Sequence, residues 1–283
     1  MYDVLIIGAG PAGISASLYV KRANLNVIVL HNGESNLEKA SKIDNYYGFE
    51  KGIDGKELYI KGIEQAKNLG VEIKKIEVLG IENNRKSFNI KTEAGNIETK
   101  TLIIATGNQK LKPDIPGIEK FEGKGISYCA ICDAFFYKNK NVAVIGNGKF
   151  AVSEAKELAH VARKVTILSN GLQKPECEFE VNTNKIKEIE GNTKVNKIEF
   201  EDGTSIEIDG VFVALGEAGG SDFAKTLGII QDGNNIKVND KMETNIPGIY
   251  ACGNIAGGLL QICKAVYEGA EAGLSATNYL RKL

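Results

Sequence analysis

Gly8-Ala9-Gly10-Pro11-Ala12-Gly13 constrains this chain more than any other stretch. It follows the β-branched run of residues 2–7 and opens a helical pattern over residues 14–23. In that setting G-x-G-x-x-G has a mechanical meaning. Gly8 permits a tight turn, Gly10 lets a pyrophosphate approach the backbone, and Gly13 permits close helix–strand packing. The helix start, with Pro11 and Ala12 in it, then offers unpaired N–H groups and a positive dipole end to the phosphates. The run before it is apolar without alternation, which suits a parallel strand covered on both faces.

The device returns later. A strand-like run over 141–145 leads into Gly146-Asn147-Gly148-Lys149-Phe150-Ala151, a helical pattern over 152–161 and a strand over 165–168. Alternating segments at 71–82, 86–93 and 97–99 read as one antiparallel meander, and those at 185–190, 194–201 and 204–208 as a second. The runs ending in Ala105-Thr106-Gly107 and in Gly216 bring each unit back to its nucleotide site. Pro247 to Asn254 reads as a strand and turn. A last helix from about 259 places Cys263, Val266, Tyr267, Ala270 and Leu274 at helical spacing, facing a core. The expected organisation is two similar α/β units, one inserted in the other: 1–111 and 240–283 around 112–239, with joints near 112–117 and 239–245. The chain's 283 residues suffice for two cores.

The formal net charge of −1 gives no reason to expect nucleic acid or an anionic membrane surface as partner. No apolar stretch reaches the roughly 18–20 residues of a membrane span. Five cysteines, an odd number, argue against a secreted disulfide scaffold, and the reading is a cytoplasmic protein. Two of the five stand in Tyr128-Cys129-Ala130-Ile131-Cys132-Asp133. Cysteines two residues apart close a small, easily reduced ring, and one thiol of such a pair has a depressed pKa, about 7 or below. Asp133 sets a carboxyl group within reach for general acid–base work. Three other readings compete. A structural zinc site needs four ligands, and the chain has no second such pair and only His31 and His160, so no metal is expected. The others are a structural disulfide and two inert core cysteines.

In combination the glycine motifs, Asp44-Asn45-Tyr46-Tyr47-Gly48, Ala105-Thr106-Gly107, Cys129-Ala130-Ile131-Cys132-Asp133 and Ala251-Cys252-Gly253-Asn254 span almost the whole chain. Their order resembles that of the low-molecular-weight thioredoxin reductases, two-domain flavoproteins of the glutathione-reductase superfamily. The resemblance implies an α/β fold of two Rossmann-like three-layer domains, the second inserted in the first. It also implies FAD on the first domain, a redox-active disulfide, thioredoxin as substrate and a homodimer. By position, Cys132 would receive electrons from the flavin, Cys129 would attack the disulfide of thioredoxin, and Asp133 would handle the proton. Gly8, Gly10 and Gly13 would hold the FAD pyrophosphate, and Asn45 would lie on the flavin side. Asn254, after Gly253, stands where an aspartate usually bonds the ribityl chain. Gln261 and Ile262 would place the last helix start against the flavin pyrimidine ring. The usual acidic end of the second strand is replaced by His31 and Asn32, either of which could bond a ribose hydroxyl or simply belong to the loop. Cys252 and Cys263 read as small buried hydrophobes, and Cys177 as an exposed cysteine without a role.

The second unit departs from the family pattern. NADPH-dependent members follow the strand like 165–168 with a basic run that grips the 2′-phosphate. Here Ser169-Asn170-Gly171 follow, and no arginine stands between Gly171 and Arg281. A helix-forming segment of about 20 residues is also missing before 185. Phe150 at the helix start could block a pyrophosphate, whereas Lys149 could bind one. These losses resemble the ferredoxin-dependent flavin thioredoxin reductases of clostridia and some cyanobacteria, and imply reduced ferredoxin as the electron donor. Lys39, Lys42, Lys51 and Lys56 are candidates to receive an acidic partner, or an ordinary solvated face. The alternatives carried forward are an NADPH- or NADH-dependent thioredoxin reductase, a flavin thiol oxidase and a non-catalytic FAD redox sensor.

Overall fold

The structure, a computed structural model, describes residues 1–33, 35–107, 113–128, 130–216 and 219–283, without the side chains of Lys39, Ile131 and Cys132. The elements up to the first unit's return strand are β1 (Tyr2–Ile7), α1 (Pro11–Arg22), β2 (Val27–His31), α2 (Gly55–Asn68), β3 (Glu72–Lys75), β4 (Val78–Asn83), β5 (Phe88–Thr92) and β6 (Gly95–Ile104). Then come β7 (Ile126–Ser127), the single turn α3 (Ala130–Asp133), β8 (Asn141–Ile145), α4 (Lys149–Ala159), β9 (Lys164–Leu168) and β10 (Glu180–Asn182). These are followed by β11 (Ile186–Gly191), β12 (Val195–Phe200), β13 (Ser205–Glu207) and β14 (Gly210–Val213). The chain ends with α5 (Gly220–Leu227), β15 (Gln231–Asp232), β16 (Asn235–Ile236), β17 (Ile249–Ala251) and α6 (Ile262–Leu280).

Two compact units result, Met1–Gln109 with Gly219–Leu283, and Lys110–Ala218. The expected return to the first unit at 240 therefore comes earlier, at Gly219. Gly220 N–H donates to Thr106 Oγ1 at 3.2 Å, and Asn245 Nδ2 donates to Gly228 O at 3.0 Å, so α5 is tied to the first unit at both ends. Nor is 239–245 a joint, because Met242 is buried in that unit's core.

In the first unit β6 does two jobs. Its first half pairs antiparallel with β5, completing the β4–β5–β6 meander, and its second half runs parallel between β1 and β17. With β2 and β3 added beyond β1, the order is β3-β2-β1-β6-β5-β4, and β17 joins β6. The inner strands are apolar throughout, since helices and sheet cover both faces. Helix α6 lies on α1 through small residues. A Cβ on Gly269 would strike the Ala12 carbonyl, and one on Gly273 would come within 2.6 Å of the Ala16 carbonyl. This reverses the expected face of α6. Cys263, Tyr267 and Leu274 are exposed, and Ala265, Gly269, Ala272, Gly273 and Ala276 face inward. Burying a large side chain yields about 1.5–3 kcal/mol, but α1 approaches too closely to admit one.

In the second unit a five-stranded parallel sheet has the order β10-β9-β8-β14-β7, with the antiparallel β11-β12-β13 meander beside it in sequence. Residues 169–179, between β9 and β10, hold no helix. Phe150 is 5% exposed and packs with Val142, Val144 and Phe212, so its ring turns into the core. Cys177 is half-buried against the same cluster rather than exposed. Among the described residues no helix is long and apolar enough to cross a membrane.

Candidate active site

The first unit builds a cradle at the carboxyl ends of its parallel strands. Gly8 leaves β1 with φ +112°, and a side chain there would strike the Ala105 carbonyl. Gly13 admits no side chain either, because a Cβ would meet the Gly8 carbonyl. Gly10 differs: a Cβ on it would meet only Ser35 Oγ, at 4.0 Å, so the space above it is open. Helix α1 begins there with Pro11 in its first turn, no side-chain cap and no acidic residue in that turn. The unpaired N–H groups and the dipole thus point at open space, an anion site made of backbone. Ala12 is wedged between Gly253 and Gly269, which fixes where that turn sits.

Around this turn stand other residues singled out in the sequence. His31 ends β2, half-buried, and its Nδ1 is buried with no hydrogen-bond partner. Burial, and then the charges of Lys75 and Lys67, hold its pKa below the ordinary histidine value, so the ring is neutral at pH 7. Asn32 is exposed beside it. Ala105 is buried, and its N–H is bound to the Ile7 carbonyl. Thr106 Oγ1 accepts from Gly220 N–H, and Gly107 turns with φ +71° into open space. Asn45 Nδ2 donates to Gln261 Oε1 at 3.0 Å, which joins the 44–50 loop to the start of α6. Helix α6 starts at Ile262 with no side-chain cap and no acidic residue in its first turn, a second uncapped N-terminus in this unit. Asn254 is half-buried, and its side chain makes no hydrogen bond among the described residues. Cys252 is fully buried, and burial pushes its thiol pKa far up, so it behaves as an inert hydrophobe.

Sequence reasoning missed Lys264 and Glu268. Glu268 Oε2 accepts from Gly253 N–H at 2.9 Å and from Lys264 Nζ at 2.9 Å. Lys264 also donates to the carbonyls of Gly253, at 3.1 Å, and Gly257. The buried pair is saturated by the turn that carries Asn254, and it clamps that turn to α6. Its signal in the sequence was a Lys and a Glu at i, i+4 on the small-residue face of a helix.

In the second unit α3 is the backbone of the cysteine turn. Cys129 and the Cys132 side chain lie outside the described residues, so the pairing of the two cysteines stands as an expectation. Asp133 is half-buried at the end of the turn, and its charge helps burial to raise the Tyr137 pKa. Phe135 and Phe136 follow, 79% and 68% exposed, in edge-to-face contact.

The family model for pyridine nucleotide-disulphide oxidoreductases matches residues 2–269. The chain belongs to that family. The thioredoxin reductase of Bacillus subtilis is 34% identical over 305 residues, covering all of this chain and 96% of the relative. The atypical thioredoxin reductase TRi of Desulfovibrio vulgaris Hildenborough superposes with a TM-score of 0.96 at 38% identity, over 100% of this chain and 99% of that one. A ferredoxin-flavin thioredoxin reductase of Clostridium acetobutylicum gives 0.76 at 37% identity, over 100% and 99%. The protein is therefore a flavoprotein of the thioredoxin reductase type with two Rossmann-like domains, and its cofactor is FAD. The cradle fits that cofactor. The open space over Gly10 and the uncapped α1 suit a pyrophosphate, and the unpartnered His31 Nδ1 has the chemistry to meet a ribose hydroxyl.

Proposed function

We propose that the protein reduces thioredoxin in the cytoplasm, with reduced ferredoxin as electron donor. One observation carries the choice of donor. Past β9, where a nicotinamide nucleotide's ribose would be read, the polar groups are engaged by the protein's own loop. Ser169 is buried, its hydroxyl donates to the Leu172 carbonyl at 2.8 Å, and its N–H donates to the Asn182 carbonyl. Asn170 Oδ1 accepts from Ile186 N–H at 2.7 Å. The Ser169 hydroxyl and the Asn170 side-chain carbonyl oxygen are thus taken up within the protein. The exposed Phe135 and Phe136 support docking of a protein substrate beside the cysteine turn. Lys51 and Lys56 are exposed and suit an acidic donor, while Lys42 is engaged by Asp44 at 2.9 Å.

When bound, FAD supplies the store that gathers single electrons and delivers a pair. Cys132 takes that pair. The S–S bond breaks, and Asp133 gives a proton to the departing Cys129 sulfur. Asp133 takes that proton back, and the Cys129 thiolate attacks one sulfur of oxidised thioredoxin, whose other sulfur leaves and is protonated to a thiol by Asp133. The Cys132 thiolate attacks Cys129 in this mixed disulfide, re-forms the Cys129–Cys132 bond and releases the second thioredoxin sulfur, which takes its proton from water. Homodimerisation belongs to the proposal, and the outward face of α6 with Cys263, Tyr267 and Leu274 supports it.

The second reading is a reductase using NADPH or NADH, favoured by the intact turn at Gly146 and Gly148 and the uncapped start of α4. Anaerobic mixing of the holoprotein with each donor, followed by flavin absorbance, decides. Bleaching by reduced ferredoxin alone is expected. Rapid bleaching by NADPH or NADH would transfer the assignment to the second reading.

A further inference from the structure

Glu154 is a buried carboxylate that none of the steps above uses. It projects from α4 among Ala151, Ala155 and Leu158, and it is 8% exposed. Its Oε2 accepts from Ala130 N–H at 2.6 Å. Ala130 is fully buried and opens α3, one peptide bond after Cys129. A helical turn begins with N–H groups that lack partners, and a side chain at its start normally supplies one. Here a carboxylate from a different helix performs that capping. A charge in an apolar cluster is costly to bury, and a neutral acceptor would satisfy the same N–H. What an ionised carboxylate adds, held on the residue that follows Cys129 in the chain, is an electrostatic effect on the thiols of the turn. The N–H that could stabilise a thiolate is already engaged, and a negative group stands next to it. Asp133 closes the same turn, so carboxyl groups bracket it at both ends, and Tyr137 follows one residue beyond Phe136.

We propose that Glu154 is a positioning residue for the Cys129–Cys132 turn. It fixes the start of the turn through Ala130 and disfavours thiolate there, which makes the disulfide harder to reduce and its dithiol a stronger reductant. This inference rests on the reading of that turn as redox-active. The exchange to be measured is balanced. Reduced dithiothreitol gives two electrons and two protons to the disulfide, which opens to two thiols, while dithiothreitol closes to its cyclic disulfide.

The test equilibrates holoprotein with dithiothreitol buffers of graded ratio at pH 8, without oxygen. Cys129 and Cys132 are then alkylated and counted by peptide mass spectrometry. Glu154→Gln keeps an acceptor for Ala130 and removes the charge, whereas Glu154→Leu removes both. The Gln variant is expected to shift the equilibrium toward the dithiol at least threefold, with its melting temperature close to that of the wild type. Wild-type equilibrium constants in both variants would overturn the proposal even where melting temperature falls, since a merely structural carboxylate moves stability alone. A wild-type pair that never titrates would remove the redox-active turn, and the inference with it.

Discussion

The two glycine turns of this molecule start alike and end differently. In each, a buried parallel strand runs into a glycine whose side chain would strike the carbonyl of a neighbouring strand's end, Ala105 for Gly8 and Ala214 for Gly146. In each, a helix follows with no side-chain cap. The difference lies one strand further on. After β2 a neutral histidine keeps a buried nitrogen without a partner, whereas after β9 Ser169 and Asn170 are hydrogen-bonded into their own loop. The phosphate half of such a site is made of backbone and lasts as long as the fold does. The ribose half is made of side chains and loop, and it can close while the other half stays intact.

The comparison can be broken most sharply at Gly10. Its φ of −71° suits any residue, so Gly10→Val fills the cradle without backbone strain. Flavin content after purification should fall at least about a hundredfold in affinity terms, more than 2.7 kcal/mol of binding, with the fold retained by circular dichroism. Full flavin occupancy would mean that the pyrophosphate lies elsewhere. Next in size is Gly269→Ala, which pushes α6 off the first turn of α1. Thermal unfolding should show a loss of about 1–3 kcal/mol, and FAD affinity should fall with it. In the second unit, Asn170→Ala frees Ile186 N–H and should cost about 1 kcal/mol while leaving flavin reduction by ferredoxin unchanged. Gained reduction by NADH in that variant would show that the loop alone had closed the site. The smallest effect concerns His31. Its pKa in the folded state lies below the ordinary histidine value of 6.5, so the unfolded chain binds more protons as pH falls. The stability contributed by neutral His31 is complete above pH 6.5 and is lost as pH drops toward its folded pKa. His31→Gln should flatten that part of a denaturation series between pH 5 and 7.

Much of this was legible because the signals are local. The strand–glycine–helix order located both turns, and alternation located both meanders, except that the expected strand at 71–82 is two: β3 pairs parallel with β2, and only β4 enters the meander. The face of α6 was not legible. Counting large apolar residues selects Cys263, Tyr267 and Leu274, but the distance to α1 is set by two glycines on the other side. The domain boundary also escaped, since α5 is held to the first unit by single bonds from Thr106 and Asn245, which leave no periodic trace. Lys264 and Glu268 drew no attention, because charges at i, i+4 usually lie on a solvated helix face. Phe150 reads as an obstruction only while its side-chain direction is unknown.

The clamp formed by Lys264 and Glu268 has a consequence for how this chain can change over generations. Losing either residue alone leaves a buried charge without its counter-ion, which costs about 3–5 kcal/mol. Replacing both with apolar residues of similar size removes the two charges together and leaves the Gly253 N–H unpaired, about 1–3 kcal/mol and less than either single loss. Positions 264 and 268 are therefore inherited as one character. Libraries of single substitutions will report both as immutable, and only a paired search will find the alternatives that the fold accepts.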